Sequence, residues 1–295
     1  MNTDTSQTLE MQLLSELSSY GICCSSRQAS LLIHHLHLVI EKNKVMNLTR
    51  ITEPEDAITL HVVDSLLPLA CHTSLLGSES RYVDIGTGAG FPGIPLGIMT
   101  DAQGTLIDSV GKKVSAVNEF IGHLGLSNIR ARHIRAEDLA RENELFDAVF
   151  ARAVAQSNVL VEYAAPLLSN GGHCVLEKAN ISTDELDAAK RAARICGLSL
   201  FHVKPLSFPA VMDIEKLLCL RKEASLKSNC LDVPERQNRV HLAFDRVNFI
   251  YRPLFHVKQR ADSCPSMAMV SRETKEEREA TEIVMVSRET IPYSK

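Results

Sequence analysis

The chain has 295 residues, 45% of them hydrophobic, enough for one sizeable domain with additions or for two small ones. A net charge of −4 and a pI near 6.3 exclude a surface that is basic throughout, so any nucleic-acid-binding face must be local. The 8 cysteines show no C-x-x-C spacing and are expected to be thiols; the polar start MNTDTSQTLE does not read as a signal peptide, no apolar run approaches the ~20 residues that span a membrane, and a cytoplasmic location is expected.

Residues 1–75 read as an N-terminal helical region. Leu32, Leu36, Val39 and Ile40 recur at helical spacing between Leu31 and Leu48. The next helix is expected to open at Thr52, with Glu55 completing a capping box and Pro54 in the unbonded first turn. From Tyr82 the pattern changes to short apolar runs, YVDI, TLID, NIRARHI, FDAVFA, HCVLEK, LSLFHV and KLLCLR, with helical stretches between the earlier ones. This alternation predicts an α/β domain over 76–222: a doubly wound, mostly parallel Rossmann-like sheet with helices on both faces. The last two runs are expected to form a hairpin at the sheet edge. Periodicity fails after Glu223, and residues 223–295 read as a poorly ordered tail.

The segment DIGTGAGFPGIP, Asp84 to Pro95, satisfies the glycine fingerprint of dinucleotide sites. Asp84 ends the first strand just before the turn, where a carboxylate repels a pyrophosphate and suits a ligand with a cationic end. S-adenosylmethionine, with an ammonium and a sulfonium and no phosphate, is such a ligand. Gly86 and Gly88 give the tight turn and close approach. Asp108 ends the second strand, where an acid accepts the hydroxyls of an adenosine ribose in either class of site. Ala136 and Glu137 follow the third strand, where an adenine would lie, although Glu137 reads equally well as a solvated acid at a helix start. Phe91 is either a ligand contact or packing for the helix that follows. Arg152, at the end of the fourth strand, is placed to form an ion pair with Asp84 or Asp108.

Motifs on both sides of the loop occur in a set order: K-x-x-N-L-T from Lys44, H-x-x-D-S from His61, the GFPG loop, K-K-V from Lys112, R-A-E from Arg135, F-D-x-V-x-x-R-A from Phe146, and Lys178. Together they resemble the bacterial small-subunit (16S) rRNA guanine-N7 methyltransferases, the RsmG or GidB family, over roughly Leu36 to Lys222. The departures are Glu41-Lys42 where a tryptophan is common, and Ala179 where a glycine commonly follows the lysine. The resemblance implies S-adenosylmethionine as cofactor, with Gly86 and Phe91 lining its site, Ala136 and Glu137 at the adenine end, and Arg152 beside it. It also implies 16S rRNA or the small ribosomal subunit as partner.

The stretch Ala151-Arg152-Ala153 has neither the Asn/Asp-Pro-Pro-aromatic set of amino-group methyltransferases nor the Pro-Cys of carbon-5 pyrimidine enzymes. Guanine N7 has an exposed lone pair, so no general base is obligatory and Arg152 is the one catalytic candidate. Lys112, Lys113, Arg135 and Lys178, with Lys44 and Arg50, are candidates for the RNA rim. His61, Asp64 and Ser65 share a helix face and either cap the pocket or form an interhelix network. No metal is expected, and a monomer is. The competing functions are a nicotinamide-dependent oxidoreductase and a non-enzymatic cofactor sensor that binds RNA or protein.

In the tail, VSRET occurs at Val270–Thr274 and again at Val286–Thr290, and FHVKQ at Phe255–Gln259. The DNA string GTTTCACGTGAAAC is its own reverse complement; extended by A and read from its first base it encodes Val-Ser-Arg-Glu-Thr, extended by AG or AA and read from its second base it encodes Phe-His-Val-Lys-Gln, and it resembles the centromere-like sites of bacterial ParB proteins. The tail is therefore expected to be shaped by a constraint on the DNA. Sequencing the gene should show these codons spelling the palindrome, and truncation after Lys222 should leave activity intact; other codons, or lost activity in a folded truncation, would refute this.

Overall fold

The computed structural model describes residues 3–72, 74–152, 154–178, 181–208, 211–222 and 285–286. Helix α1 (Thr3–Ser19) is followed by α2 (Ser26–Asn43), which Ser25 opens through a capping box: its hydroxyl accepts from the Gln28 amide, and the Gln28 side chain accepts from the Ser25 N–H. Helix α3 (Pro54–Ala57) continues through a wide π-turned stretch, Ile58–Val63, into α4 (Asp64–Cys71). The capping box expected at Thr52 is not formed. Pro54 stands in the first turn with Glu53 as N-cap, one residue later than expected, and no side chain caps the helix.

Strand β1 (Arg81–Ile85) begins an alternating series: α5 (Gly93–Thr100), β2 (Gln103–Asp108), α6 (Gly111–Leu124), β3 (Ile129–His133), α7 (Ala136–Ala140), β4 (Phe146–Arg152), α8 (Ser157–Ala164), β5 (Leu168–Lys178) and α9 (Thr183–Ile195). The chain then forms the expected antiparallel hairpin, β6 (Leu198–Phe208) with β7 (Val211–Lys222). The sheet order is β3-β2-β1-β4-β5-β7-β6, with β7 antiparallel to β5 and the strands before it parallel. The order reverses between β1 and β4, and ligands of doubly wound sheets bind at the carboxyl ends beside such a switch point. Asp84, Asp108 and Arg152 stand at or next to those ends.

The helical cap belongs to the same hydrophobic core as the sheet, which extends from Leu9, Leu13 and Leu17 of α1 to Leu218 and Leu220 of β7. Polar ties reinforce the junction. Gln28 donates to the Ile98 and Met99 carbonyls at the end of α5, and Lys42 pairs with Glu119 of α6. Cys174 is a buried free thiol. The proposed tail lies outside the described residues, except for Met285–Val286, which pairs in parallel with Leu176 and Glu177 of β5. Among the described residues no helix is long and apolar enough to cross a membrane, and no group of His, Cys, Asp and Glu is placed to hold a metal ion.

Candidate active site

The loop between β1 and α5 is built on a buried carboxylate. Asp84 is inaccessible to water, and its Oδ2 accepts the Gly93 N–H at 3.0 Å, pinning the first turn of α5 to the end of β1. Only a glycine fits at 93, because a Cβ there would meet Leu106 Cγ at 2.5 Å and Asp84 Oδ2 at 2.8 Å. Burial raises the Asp84 carboxyl to about 6; Thr87, the Gly93 N–H and Arg152 pull the other way. Thr87, buried beside Asp84, supplies the side-chain hydrogen bond that helps lower its carboxyl.

Asp108 does the corresponding work from β2. Its Oδ2 accepts from the Gly88 N–H at 3.2 Å, its Oδ1 accepts from the Val110 N–H at 2.8 Å, and Lys113 Nζ lies 4.0 Å away. Four more loop amides turn inward: Gly86 and Thr87 donate to the Ile107 carbonyl, and Gly90 and Phe91 donate to the Thr87 carbonyl. A dinucleotide site aims such N–H groups at a pyrophosphate. Here carboxylates and carbonyls hold them, which removes the basis of the nicotinamide reading. Gly86 has φ +72°, and a Cβ on it would lie 2.6 Å from Val154 Cγ2.

Phe91, only 5% exposed, anchors the loop to the cap. The His35 ring from α2 lies 4.5 Å from it, centroid to centroid, and the His61 ring stacks on it at 4.9 Å and 19°. His61 Nε2 is 2.7 Å from Thr49 Oγ1, so the K-x-x-N-L-T and H-x-x-D-S motifs meet at the loop. Asn43 shapes the intervening segment by accepting from the Leu48 and Thr49 N–H groups and donating to the Thr49 carbonyl.

Arg152 pairs with neither Asp84 nor Asp108. Its Nη1 donates to Asp64 Oδ2 at 2.8 Å and its Nε lies 3.9 Å from Glu177 Oε2, both carboxylates being buried, while its guanidinium carbon sits 5.5 Å from the Phe91 ring centroid. Acids from α4 and β5 hold it beside the loop. Ser65 closes the helix-face set by donating to the His61 carbonyl.

The other candidates separate into rim and interior. Ala136 is buried at the start of α7, and the Glu137 carboxylate lies against Tyr163, whose hydroxyl is raised by burial first and by Glu137 second. Lys112 and Arg135 are exposed, and Lys113 is partly exposed. Lys178 corrects the RNA-rim expectation: its ammonium donates to the Ala155 carbonyl and pairs with Glu185 at 2.9 Å, and the side chain is only 13% exposed. It organises the chain after β4 because the interior supplies two oxygens that water would otherwise have to satisfy. Sequence reasoning did not single out Glu177 or His35. The one signal for His35 is a histidine within the apolar stripe of α2.

Asp84→Asn separates two roles of this carboxyl. The amide oxygen still accepts from Gly93, so the loop keeps its shape, but the charge is lost. A carboxyl raised from 3.8 to about 6 on folding contributes stability that is present below pH 3.8 and lost as pH rises through about 6. The Asn variant should therefore lack the fall in thermal midpoint between those pH values, and at pH 7 it should bind a cationic ligand of this loop about tenfold more weakly in calorimetry. Unchanged affinity would confine Asp84 to a structural role.

The family model described as rRNA small subunit methyltransferase G (GidB) matches residues 28–211. A protein named ribosomal RNA small subunit methyltransferase G from Lactobacillus johnsonii is 36% identical over 211 residues, covering 70% of this chain and 88% of the relative. Proteins of the same name from Deinococcus radiodurans and Desulfitobacterium hafniense are 41% identical over 192 residues and 39% over 191, covering 64% and 63% of this chain and 75% and 78% of the relatives. The acids beneath the loop, the cap motifs gathered on Phe91 and these similarities agree: the chain belongs to the GidB family of small-subunit rRNA methyltransferases.

Proposed function

We propose that this protein is an S-adenosylmethionine-dependent methyltransferase acting on N7 of a guanine in 16S rRNA, as free RNA or within the small subunit. The observation that carries the cofactor is the occupation of the loop amides: Gly88 and Gly93 donate to Asp108 and Asp84, leaving a loop underlain by acid and unsuited to phosphate. The buried Asp84 carboxylate suits a ligand with a cationic end. Family membership supplies the RNA substrate, and resemblance to its members supplies guanine N7.

In this reading Gly86, Gly88 and Phe91 form the floor of the cofactor site. Asp84 supplies negative charge, Asp108 has carboxylate lone pairs for the ribose hydroxyls, and Ala136 and Glu137 border the adenine. When bound, S-adenosylmethionine supplies an electrophilic methyl group. Guanine N7 needs no proton removed before attack, so the protein's task is to place the base in line with that group. Arg152, tied to Asp64 and Glu177, is a fixed wall of the pocket and no proton carrier. Lys112, Lys113 and Arg135 form a local basic rim for RNA phosphates on a chain whose net charge is −4. The protein works as a monomer in the cytoplasm.

Mass mapping of 16S rRNA from cells with and without the protein should show one guanine losing its methyl group in the deletion. Wild type should restore it. Gly86→Asp should not, and should bind no S-adenosylhomocysteine in calorimetry, because a side chain at φ +72° and a negative charge both occupy the space of close approach. An unchanged modification pattern in the deletion would refute the proposed substrate.

Lys112→Ala combined with Lys113→Ala should leave cofactor affinity within about twofold and weaken RNA binding, lowering the slope of log affinity against log salt by roughly 1–2. An unaltered slope would make these lysines ordinary surface charge.

A further inference from the structure

We infer that His35, on the N-terminal cap, is a positioning residue for the cofactor loop: its ring N–H fixes the Ala89 carbonyl while its face braces Phe91. The inference rests on the cofactor reading above and adds to it a part of the site that lies outside the sheet domain.

The buried stripe of α2 includes Ala29, Leu32, Ile33, Leu36 and Val39, and position 35 lies within it. An imidazole sits there with no exposure to water. Burying a polar ring is unfavourable unless it gains hydrogen bonds. His35 makes one, from Nε2 to the Ala89 oxygen at 3.0 Å. A carbonyl can only accept, so Nε2 carries the hydrogen and Nδ1 is a bare acceptor. Nδ1 is buried without a partner among the described residues, so the ring sacrifices one nitrogen to place the other. Burial lowers its pKa to about 4, so the ring is neutral at pH 7 and the tautomer is set.

The accepting carbonyl lies at the middle of the loop. Ala89 stands between Gly88 and Gly90, both at positive φ, and a Cβ on Gly90 would lie 3.1 Å from His35 Nε2. The same ring contacts Phe91 at 4.5 Å, and His61 also meets Phe91, at 4.9 Å. Carboxylates hold the two ends of the loop from below, at Gly88 and Gly93. His35 is the hydrogen bond from the cap that holds its crest. Without it the Ala89 carbonyl would be free to rotate toward the space the cofactor needs.

The test compares His35→Gln, whose side-chain amide offers an N–H at similar reach, with His35→Leu, which keeps the apolar volume. Calorimetry with S-adenosylhomocysteine should show the Leu variant binding roughly tenfold or more weakly and the Gln variant within about threefold of wild type, although both lower the thermal midpoint. Equal affinity losses in the two variants, or full affinity in the Leu variant, would overturn the proposal. Nitrogen-detected NMR of the histidine-labelled wild type is independent of how the variants fold: a neutral, Nε2-protonated ring whose resonance moves on adding S-adenosylhomocysteine is expected. The other tautomer, or an unmoved resonance in a protein that binds the compound, would overturn it. A wild-type protein that binds no S-adenosylhomocysteine at all would instead sink the cofactor reading itself.

Discussion

A carboxylate sealed from water at the end of β1 organises this molecule. Asp84 costs free energy to bury, and the cost is partly offset by the Gly93 N–H that it accepts. That one bond fixes where α5 begins, how closely its first turn presses on β1 and β2, and how the glycine loop must arch between them. Asp108 repeats the arrangement one strand away by taking the Gly88 N–H. The loop is thereby given an acidic floor by the same bonds that give it shape.

The cap is a structural part of this arrangement. Phe91 projects from the loop into a space walled by His35, His61 and Arg152. Arg152 is bound to Asp64 of the cap and lies near Glu177 of β5, so a single guanidinium joins helix, loop and sheet. A buried ion pair of this kind adds little net stability against an apolar replacement, but breaking it by removing one partner is severe. Its value is in register: α4 can sit against the sheet at one position only if the guanidinium is to be satisfied. The π-turned stretch just before Asp64 belongs to the same adjustment, since wide turns inserted in a helix re-aim the residues that follow and recur at functional sites.

Charge is sorted by depth. Arg152 and Lys178 face inward and are neutralised by acids and carbonyls, so they shape the site without contributing to the surface field. Lys112 and Arg135 remain exposed beside the ends of β2 and β3. The positive charge left at the surface beside these strand ends is therefore local on a mildly acidic chain.

What local sequence determined was the alternation of strands and helices, the edge hairpin, the glycine loop and the two acids at strand ends. Period and turn chemistry act over a few residues, so they can be read without the fold. The family resemblance came from the same local signals. What only tertiary structure decided was which groups face each other across long separations. Asp64 meets Arg152 from 88 residues away, and His35 meets Ala89 from 54. Lys178 looks like any surface lysine until the interior offers it the Ala155 carbonyl and Glu185. In each case the deciding term is the cost of leaving a polar or charged group unpaired inside a packed core. That cost is set by neighbours distant in sequence, so it does not exist until the chain has folded.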